Sequence, residues 1–324
     1  MTQLVTTLPH SGPRTILDHR PLVSVVLPTH NMARFLGEAL QSALTQTYPH
    51  LEVHVVDDGS TDSPREAIRS FLADPRVHFH SIPQSGQGPA KNVALRASRG
   101  EFVAFLDADD LWVPDKLERQ LPLFVRPEIG VVYSDFERVD INGTPIQTFR
   151  GPIHVGRITN ELLIENFVTG MASVVRRECF DRVGLFDETL PMGIDYDLWL
   201  RISTKYEFAY LDHVTYLYRY WGGQMSRNFA KRLECAILIM KRLLDANPGL
   251  VPRRIENLAW AHTYTYGGDG FFNAGQRGKA LSWYLKAIRT RPHYWPAWRQ
   301  LGFWALQPLR DSIALPGRSN RDGS

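Results

Sequence analysis

The chain has 324 residues, 44% hydrophobic and 22% charged, with 24 glycines, 21 prolines and a net charge of +3; that balance belongs to a folded globular protein and excludes collagen, coiled coil and wholesale disorder. At about 150 residues per domain, the length suits one large domain or two ordinary ones. Apolar runs such as Ala236–Met240 are far shorter than the roughly 20 residues of a spanning helix, the first 20 residues hold no apolar signal core, and two cysteines, Cys179 and Cys235, suit a reducing compartment, so the expected location is the cytoplasm.

Residues 1–21 read as an irregular arm. The apolar run Leu22–Leu27 predicts a short buried strand that Pro28 stops. Phe35, Leu36, Ala39, Leu40, Ala43 and Leu44 recur at helical spacing, and Pro49 closes that segment. Leu51–Val56 is a second strand, followed by Asp57-Asp58-Gly59-Ser60-Thr61-Asp62, a helix over about 64–73 and a strand at Val77–Ile82. A loop from Gln84 to Pro89 opens a third helix, and Glu101–Leu106 is the fourth strand. This alternation predicts a parallel α/β sheet.

The second half is more antiparallel in flavour. Val131–Ser134 and Thr144–Phe149 flank Asn142-Gly143, a strong hairpin signal. Met171–Val175 reads as a strand, Arg177–Val183 and Tyr196–Ser203 as helices, Tyr210–Tyr220 as a strand, and Ser226 to about Asn247 as a long helix. Charge divides the chain as well: residues 252–324 hold eleven Lys/Arg against four Asp/Glu, a net +7, and five of the eight tryptophans. Within 261–302, Tyr264, Gly268, Phe271, Gly275, Ala280, Tyr284, Ala287 and Pro292 match the spacing of a tetratricopeptide repeat, which Trp298, Leu301 and Gly302 restart.

In an open parallel sheet, ligands sit beyond the carboxyl ends of the strands. Those ends carry Pro28-Thr29-His30-Asn31, Asp57-Asp58-Gly59-Ser60 and Asp107-Ala108-Asp109-Asp110. Neither a dinucleotide fingerprint nor a phosphate-binding glycine loop with lysine is present. Asp107 and Asp109, at i and i+2 after a strand, are hard oxygen ligands suited to Mg²⁺ or Mn²⁺. The competing reading makes Asp109 or Asp110 an N-cap of the helix from Pro114, and makes 57–62 a turn with a cap.

The series Val23–Asn31, Val55–Asp62, Gly88–Asn92, Gly100–Asp110 and Asp195-Tyr-Asp-Leu-Trp-Leu-Arg201 resembles the family 2 inverting glycosyltransferases over about 22–227. The resemblance implies the GT-A fold, a Rossmann-like, mostly parallel sheet flanked by helices, here with a C-terminal α-helical extension over 228–324. It implies a nucleotide-sugar site, with UDP-sugars as the first expectation, and transfer with inversion to a carbohydrate, lipid-linked or protein acceptor in polysaccharide or glycoconjugate synthesis; no nucleic-acid partner is implied. By position, Asp57, Asp58 and Thr29 would line the nucleoside pocket, Asp107 and Asp109 would be the Asp-x-Asp pair with Asp109 on the metal, and Asp195 would be the catalytic base. Two positions depart from the family pattern: Ile194 stands where many members have Glu, and Lys91 where Arg is usual. Lys91 either faces the diphosphate or is a solvated helix residue. Asp195 has the competing reading of an N-cap, with Asp197 as the next candidate base. Tyr218–Arg227 resembles the segment that closes over the site, with Gly222 and Gly223 permitting its motion. The rival functions are a catalytically inactive scaffold and a nucleotidyltransferase. For the tail, basic residues offer peripheral contact with the inner face of the membrane, whereas the tryptophans suit packing of repeat helices.

Overall fold

A computed structural model of the protein describes residues 20–222 and 228–313, with side chains as far as Ala305. Most of the expected N-terminal arm, the expected helix start at Ser226, and Gly223 lie outside the described residues, as does the tail beyond Ile313. The chain divides into two compact units, Met1–Ile158 with Phe167–Gln224, and Thr159–Asn166 with Met225–Ser324.

The first unit is built on strands β1 (Val23–Thr29), β2 (Leu51–Asp58), β3 (Val77–Ile82), β4 (Phe102–Phe105), β5 (Leu111–Trp112), β6 (Ile129–Val139), β7 (Pro145–Phe149), β8 (Val174–Arg176) and β9 (Glu207–Arg219). They form one sheet in the order β3-β2-β1-β4-β8-β6-β9-β5, with β7 on β6. The β3-β2-β1-β4 half is parallel. Every residue of β1 and β2 is buried, as expected of strands covered on both faces. Beyond β4 the sheet turns mixed: β8 is antiparallel to β4 and β6, and β5 to β9, while β6 and β9 run parallel. The hairpin at Asn142-Gly143 forms between β6 and β7.

Pro28 does not stop its strand. Val26 accepts the last bond from the β4 side, from the Leu106 amide at 3.1 Å, and the ladder with β4 ends there. Two residues on, Pro28 faces the same side, where no partner strand remains to miss its N–H, while β2 pairs along its other side as far as Thr29. The helix expected over 64–73 is also shorter: α2 (Pro64–Ala67) gives way to a 3₁₀ turn at Arg69–Ala73.

Three helices of this unit position the site: α1 (Ala33–Leu44), α3 (Gln87–Ala97) and α7 (Ile194–Ser203). Helix α1 buries Phe35, Leu36, Ala39, Leu40 and Ala43, the stripe its spacing predicts. Gly193 starts α7 with φ of +73°, a left-handed backbone that favours glycine.

The second unit is helical: α5 (Thr159–Ile164), α8 (Phe229–Ala246), α9 (Arg253–Asn273), α10 (Arg277–Thr290) and α11 (Trp295–Ile313). Residues 159–166, which the sequence boundary puts with the sheet, cluster here. Ala261, Ala287 and Ala297 are wholly buried between α9, α10 and α11. Gly268 lets α10 approach closely, since a Cβ there would stand 2.3 Å from the Tyr284 ring. Trp260 stacks on Tyr264, and the Trp304 indole donates to the Arg277 carbonyl. Trp295 and Trp298 are exposed. No helix among the described residues is long and apolar enough to cross a membrane.

Candidate active site

Strand order reverses between β1 and β4, which creates a crevice at their carboxyl ends. The sequence-predicted residues fall around it. The loops after β1 and β2 are stapled together: Asn31 accepts from the Thr61 amide at 2.8 Å, and its own amide donates to Ser60 Oγ at 3.0 Å. Asp62 accepts from the Ala33 amide at 2.8 Å, and so caps α1 rather than the helix that follows it. Asp57 accepts from the Ser60 amide at 2.9 Å, three residues on, and so closes its own turn. Asp58 differs from its neighbour. Its two oxygens accept from the successive amides of Ser85 (2.6 Å) and Gly86 (2.9 Å), so it braces the loop that opens α3. Thr29, at the end of β1, is buried, and its hydroxyl has no hydrogen-bond partner.

The chain leaves β4 into Asp107, Asp109 and Asp110, which do three different things. Asp110 is buried, accepting from the Tyr216 hydroxyl and, at 2.7 Å, from the Arg219 amide. Burial and the neighbouring Asp109 and Asp107 push its carboxyl well above the usual carboxylate range. It anchors β9 beneath the site. Asp109 Oδ2 accepts from the Trp221 indole at 2.9 Å, and its carbonyl accepts from Arg219 at 2.9 Å; burial, then the Asp107 charge, raise its pKa. Neither residue caps a helix: the helix they were set against, α4 (Lys116–Gln120), begins at Asp115. Asp107 Oδ1 is buried without a hydrogen bond. A lone carboxylate oxygen turned inward is costly unless a cation or donor meets it.

Its neighbour is a cation. Lys91 Nζ stands 3.7 Å from Asp107 Oδ1, and its side chain is 3% exposed, which removes the solvated-helix reading. The ammonium lies over the rings of Phe186 (5.8 Å) and Phe105 (6.0 Å). The next residue, Asn92, holds that wall by donating to the Phe186 carbonyl and accepting from its amide.

Asp195 is the second residue of α7, not its cap. Burial raises its pKa, opposed by Lys91 and by the backbone amides of Tyr196 and Asp195, and reinforced by Asp107. Lys91 therefore sits within electrostatic reach of both carboxylates. Asp197, the next candidate base in the sequence, is ion-paired: Arg201 donates to its Oδ2 at 2.6 and 2.9 Å and also to the carbonyls of Val183, Gly184 and Leu185. Gly170 leaves space beside Asp195, since a Cβ there would only reach contact distance, 3.6 Å from the Asp195 Cβ.

Two residues enter that sequence reasoning passed over. Arg219 is 2% exposed, bonding Glu38 at 2.7 Å as well as the Asp109 carbonyl. Trp221 is held against the Arg34 guanidinium, which also covers Phe35. Their segment, Tyr218–Arg227, resembles in sequence one that closes over the site; its contact with Asp109 comes from the structure.

Known proteins resemble this chain in sequence and in fold. The model of Glycosyl transferase family 2 matches residues 24–184. The UDP-Glc:alpha-D-GlcNAc-diphosphoundecaprenol beta-1,3-glucosyltransferase WfgD of Escherichia coli is 31% identical over 218 residues, 66% of this chain and 83% of that protein. The chain belongs to glycosyl transferase family 2. Other members are longer: an uncharacterized glycosyltransferase of Rickettsia bellii is 35% identical over 189 residues, and this chain spans 27% of its length. Among solved structures, S. aureus TarS 1-349 in complex with UDP superposes with a TM-score of 0.60 at 20% identity, covering 83% of this chain and 81% of that one. The mannosyltransferase PcManGT of Pyrobaculum calidifontis, in complex with GDP-Man and Mn2+, also gives 0.60 at 22% identity, covering 90% and 81%. The family's GT-A fold accounts for the curled sheet and its crevice.

Proposed function

We propose that this family 2 member transfers a sugar from a nucleotide-sugar donor to an acceptor hydroxyl with inversion at the anomeric carbon, aided by Mg²⁺ or Mn²⁺. The observation that carries the reading is the inward oxygen of Asp107, without a hydrogen bond and beside Lys91, with Asp109 and Asp195 around the same crevice. Asp109 and Asp107 suit a hard divalent ion, which when bound supplies Lewis-acid stabilisation of the departing diphosphate. Lys91 adds a fixed positive charge toward the same developing charge. Its single ammonium lacks the planar fork of an arginine. Asp58 holds the 85–86 loop, and with Thr29 it borders the nucleoside pocket, where the Thr29 hydroxyl is left for the donor. Asp195 takes the proton of the acceptor hydroxyl as it attacks; its raised pKa makes it a stronger base than an ordinary aspartate.

A UDP-sugar is the first donor to test, since the WfgD relative is named for UDP-Glc and the TarS structure holds UDP; the GDP-Man of the mannosyltransferase structure makes GDP-mannose the second. The same WfgD name places a diphosphoundecaprenol-linked sugar among the acceptors to try. Hydrolysis or transfer measured across common nucleotide sugars tests the reading. Turnover of one of them, lost in Asp195→Asn, supports it; no turnover with any donor, at unchanged fold, leaves the inactive-scaffold alternative.

For the second unit we propose a helical, repeat-like role in contacting acceptor-bearing surfaces. Trp260 and Trp304 have partners within the unit, whereas Trp295 is 71% exposed and Phe303 52%. Exposed aromatics with a basic tail suit the surface of an anionic membrane. Co-sedimentation with anionic vesicles at low salt, absent with neutral vesicles, is the expected outcome.

A further inference from the structure

Strands β2 and β3 carry a second cluster of ligand-type side chains at their amino-terminal halves, away from the acidic crevice. Glu52 and His54, at i and i+2 on β2, share one face of the sheet. His78 is the register partner of His54 on β3, and His80, two residues on, shares that face. Among the described residues, one ligand atom each from Glu52, His54 and His78 lie within 4.8 Å of one another.

The hydrogen bonds here engage some ligand atoms and not others. Glu52 Oε1 is already used, accepting from Ser24 Oγ at 2.7 Å and the Arg99 amide at 2.8 Å. Oε2 has only long contacts, to Arg99 Nε at 3.4 Å and His78 Nε2 at 4.0 Å. His54 is 3% exposed, and its Nδ1 lies 3.1 Å from His80 Nε2, so one proton is shared between those two nitrogens. Its other nitrogen, Nε2, is buried 3.4 Å from Glu52 Oε1, an ion-pair distance at which no well-aligned hydrogen bond forms. When His54 carries its proton on Nδ1, the Nε2 lone pair faces the Glu52 carboxylate, and a cation held by Nε2 and by Oε2, the oxygen with only long contacts, relieves that opposition. His80 then acts as the outer partner that fixes the ligand's tautomer.

We propose that Glu52, His54 and His78 form a binding site for a divalent transition ion of the zinc class. Two imidazoles and one carboxylate are a borderline donor set that selects Zn²⁺ or Co²⁺ over Mg²⁺. Bonds of 2.0–2.1 Å place tetrahedral ligand atoms about 3.3 Å apart. The half-exposed His78 closes most of that gap by turning, and its exposure leaves the fourth position to water. Arg99, four-fifths exposed at its side chain, turns outward as the ion takes Oε2. The ion is not the one proposed for the transfer reaction: Glu52 pairs with Ser24, whose partner on the other side is Val103, so Asp107 lies two strands away and four residues further along, about 13 Å at about 3.3 Å per residue. It instead clips the edge strand β3 to β2.

The experiment uses the full chain without a histidine tag and equilibrium dialysis against Zn²⁺, with Co²⁺ as a spectroscopic probe and Mg²⁺ as the control. One equivalent of Zn²⁺ per chain is expected, with ligand-field bands of low-coordinate Co²⁺ and a Tm that rises with Zn²⁺. His78→Ala, at a half-exposed strand position where the fold is kept, should lower Zn²⁺ affinity by more than about 100-fold and abolish the Tm rise. His80→Gln should lower it about 10–100-fold, the range for an outer partner. Asp109→Ala should leave the zinc equivalent intact. Wild-type zinc affinity in His78→Ala, or loss of the equivalent in Asp109→Ala, would overturn the proposal.

Discussion

Lys91 Nζ approaches Asp107 Oδ1 to 3.7 Å, and that oxygen has no hydrogen bond. The pair is therefore incomplete as a structural salt bridge and open to a third charge. Replacing Lys91 with Met removes the buried cation from beside Asp107, and with it the charge proposed to meet the leaving diphosphate. Turnover is expected to fall by about 10²-fold, the scale of losing one preorganised electrostatic donor. Lys91→Arg should recover part of it. Steady-state rates with a matched donor, alongside far-UV circular dichroism, read the effect; a Met variant with wild-type kcat refutes the role.

Asp195→Asn should bind donor normally yet lower the chemical step by about 10²–10⁴-fold. Because burial raises the Asp195 pKa, the wild-type rate should climb with pH as the carboxyl loses its proton, with the midpoint above the ordinary aspartate value. The stability linkage has the opposite sign: a raised folded pKa contributes stability below the unfolded value that is lost as pH rises through the folded one. In Asp195→Asn the acid limb of the rate profile should vanish. A limb that persists unchanged assigns it to another group.

Asp109 and Asp110 are adjacent and should fail differently. Asp109→Ala is expected to abolish the response of turnover to Mn²⁺ or Mg²⁺ while Tm stays near wild type. Asp110→Ala should instead destabilise by about 1–3 kcal/mol, since it strips the buried Arg219 amide of its acceptor. Thermal melting of the two variants separates the roles. Chelator treatment that leaves wild-type turnover untouched rejects the metal requirement.

Trp221 donates to Asp109 Oδ2 at 2.9 Å. Trp221→Phe keeps the ring against Arg34 and removes the N–H, so Mn²⁺ affinity should weaken about 10-fold, as for loss of an outer partner. Manganese titration of turnover gives the number, and an unchanged apparent affinity shows that Asp109 needs no such support.

Much of the first unit was legible because a buried parallel strand is a short apolar run, and the residues after it must lie along the sheet's carboxyl edge. Leu22–Leu27, Leu51–Val56 and Glu101–Leu106 announce the strands, and with them the places of Thr29, Asp58, Asp107 and Asp109. Periodicity also marks α1 and α7, although the first turn of α1 depends on a cap from elsewhere: Asp62 reaches it from another loop.

What the sequence could not decide was pairing. Pro28 reads as a strand stop, yet is harmless because the ladder with β4 has already ended. The parallel match of β6 with β9 joins residues as far apart in sequence as Ile129 and Glu207, and no local pattern encodes a long-range register. The same holds for the site. Asp57 and Asp58 are adjacent and chemically identical, but alternation along the chain sends one into its own turn and the other to the 85–86 amides. Lys91 could have faced water; only the packing of α3 against the Phe186 wall buries it beside Asp107. Residue type and spacing thus determined which groups were available, and tertiary packing decided which of them meet, because burial and register are properties of contacts made far along the chain.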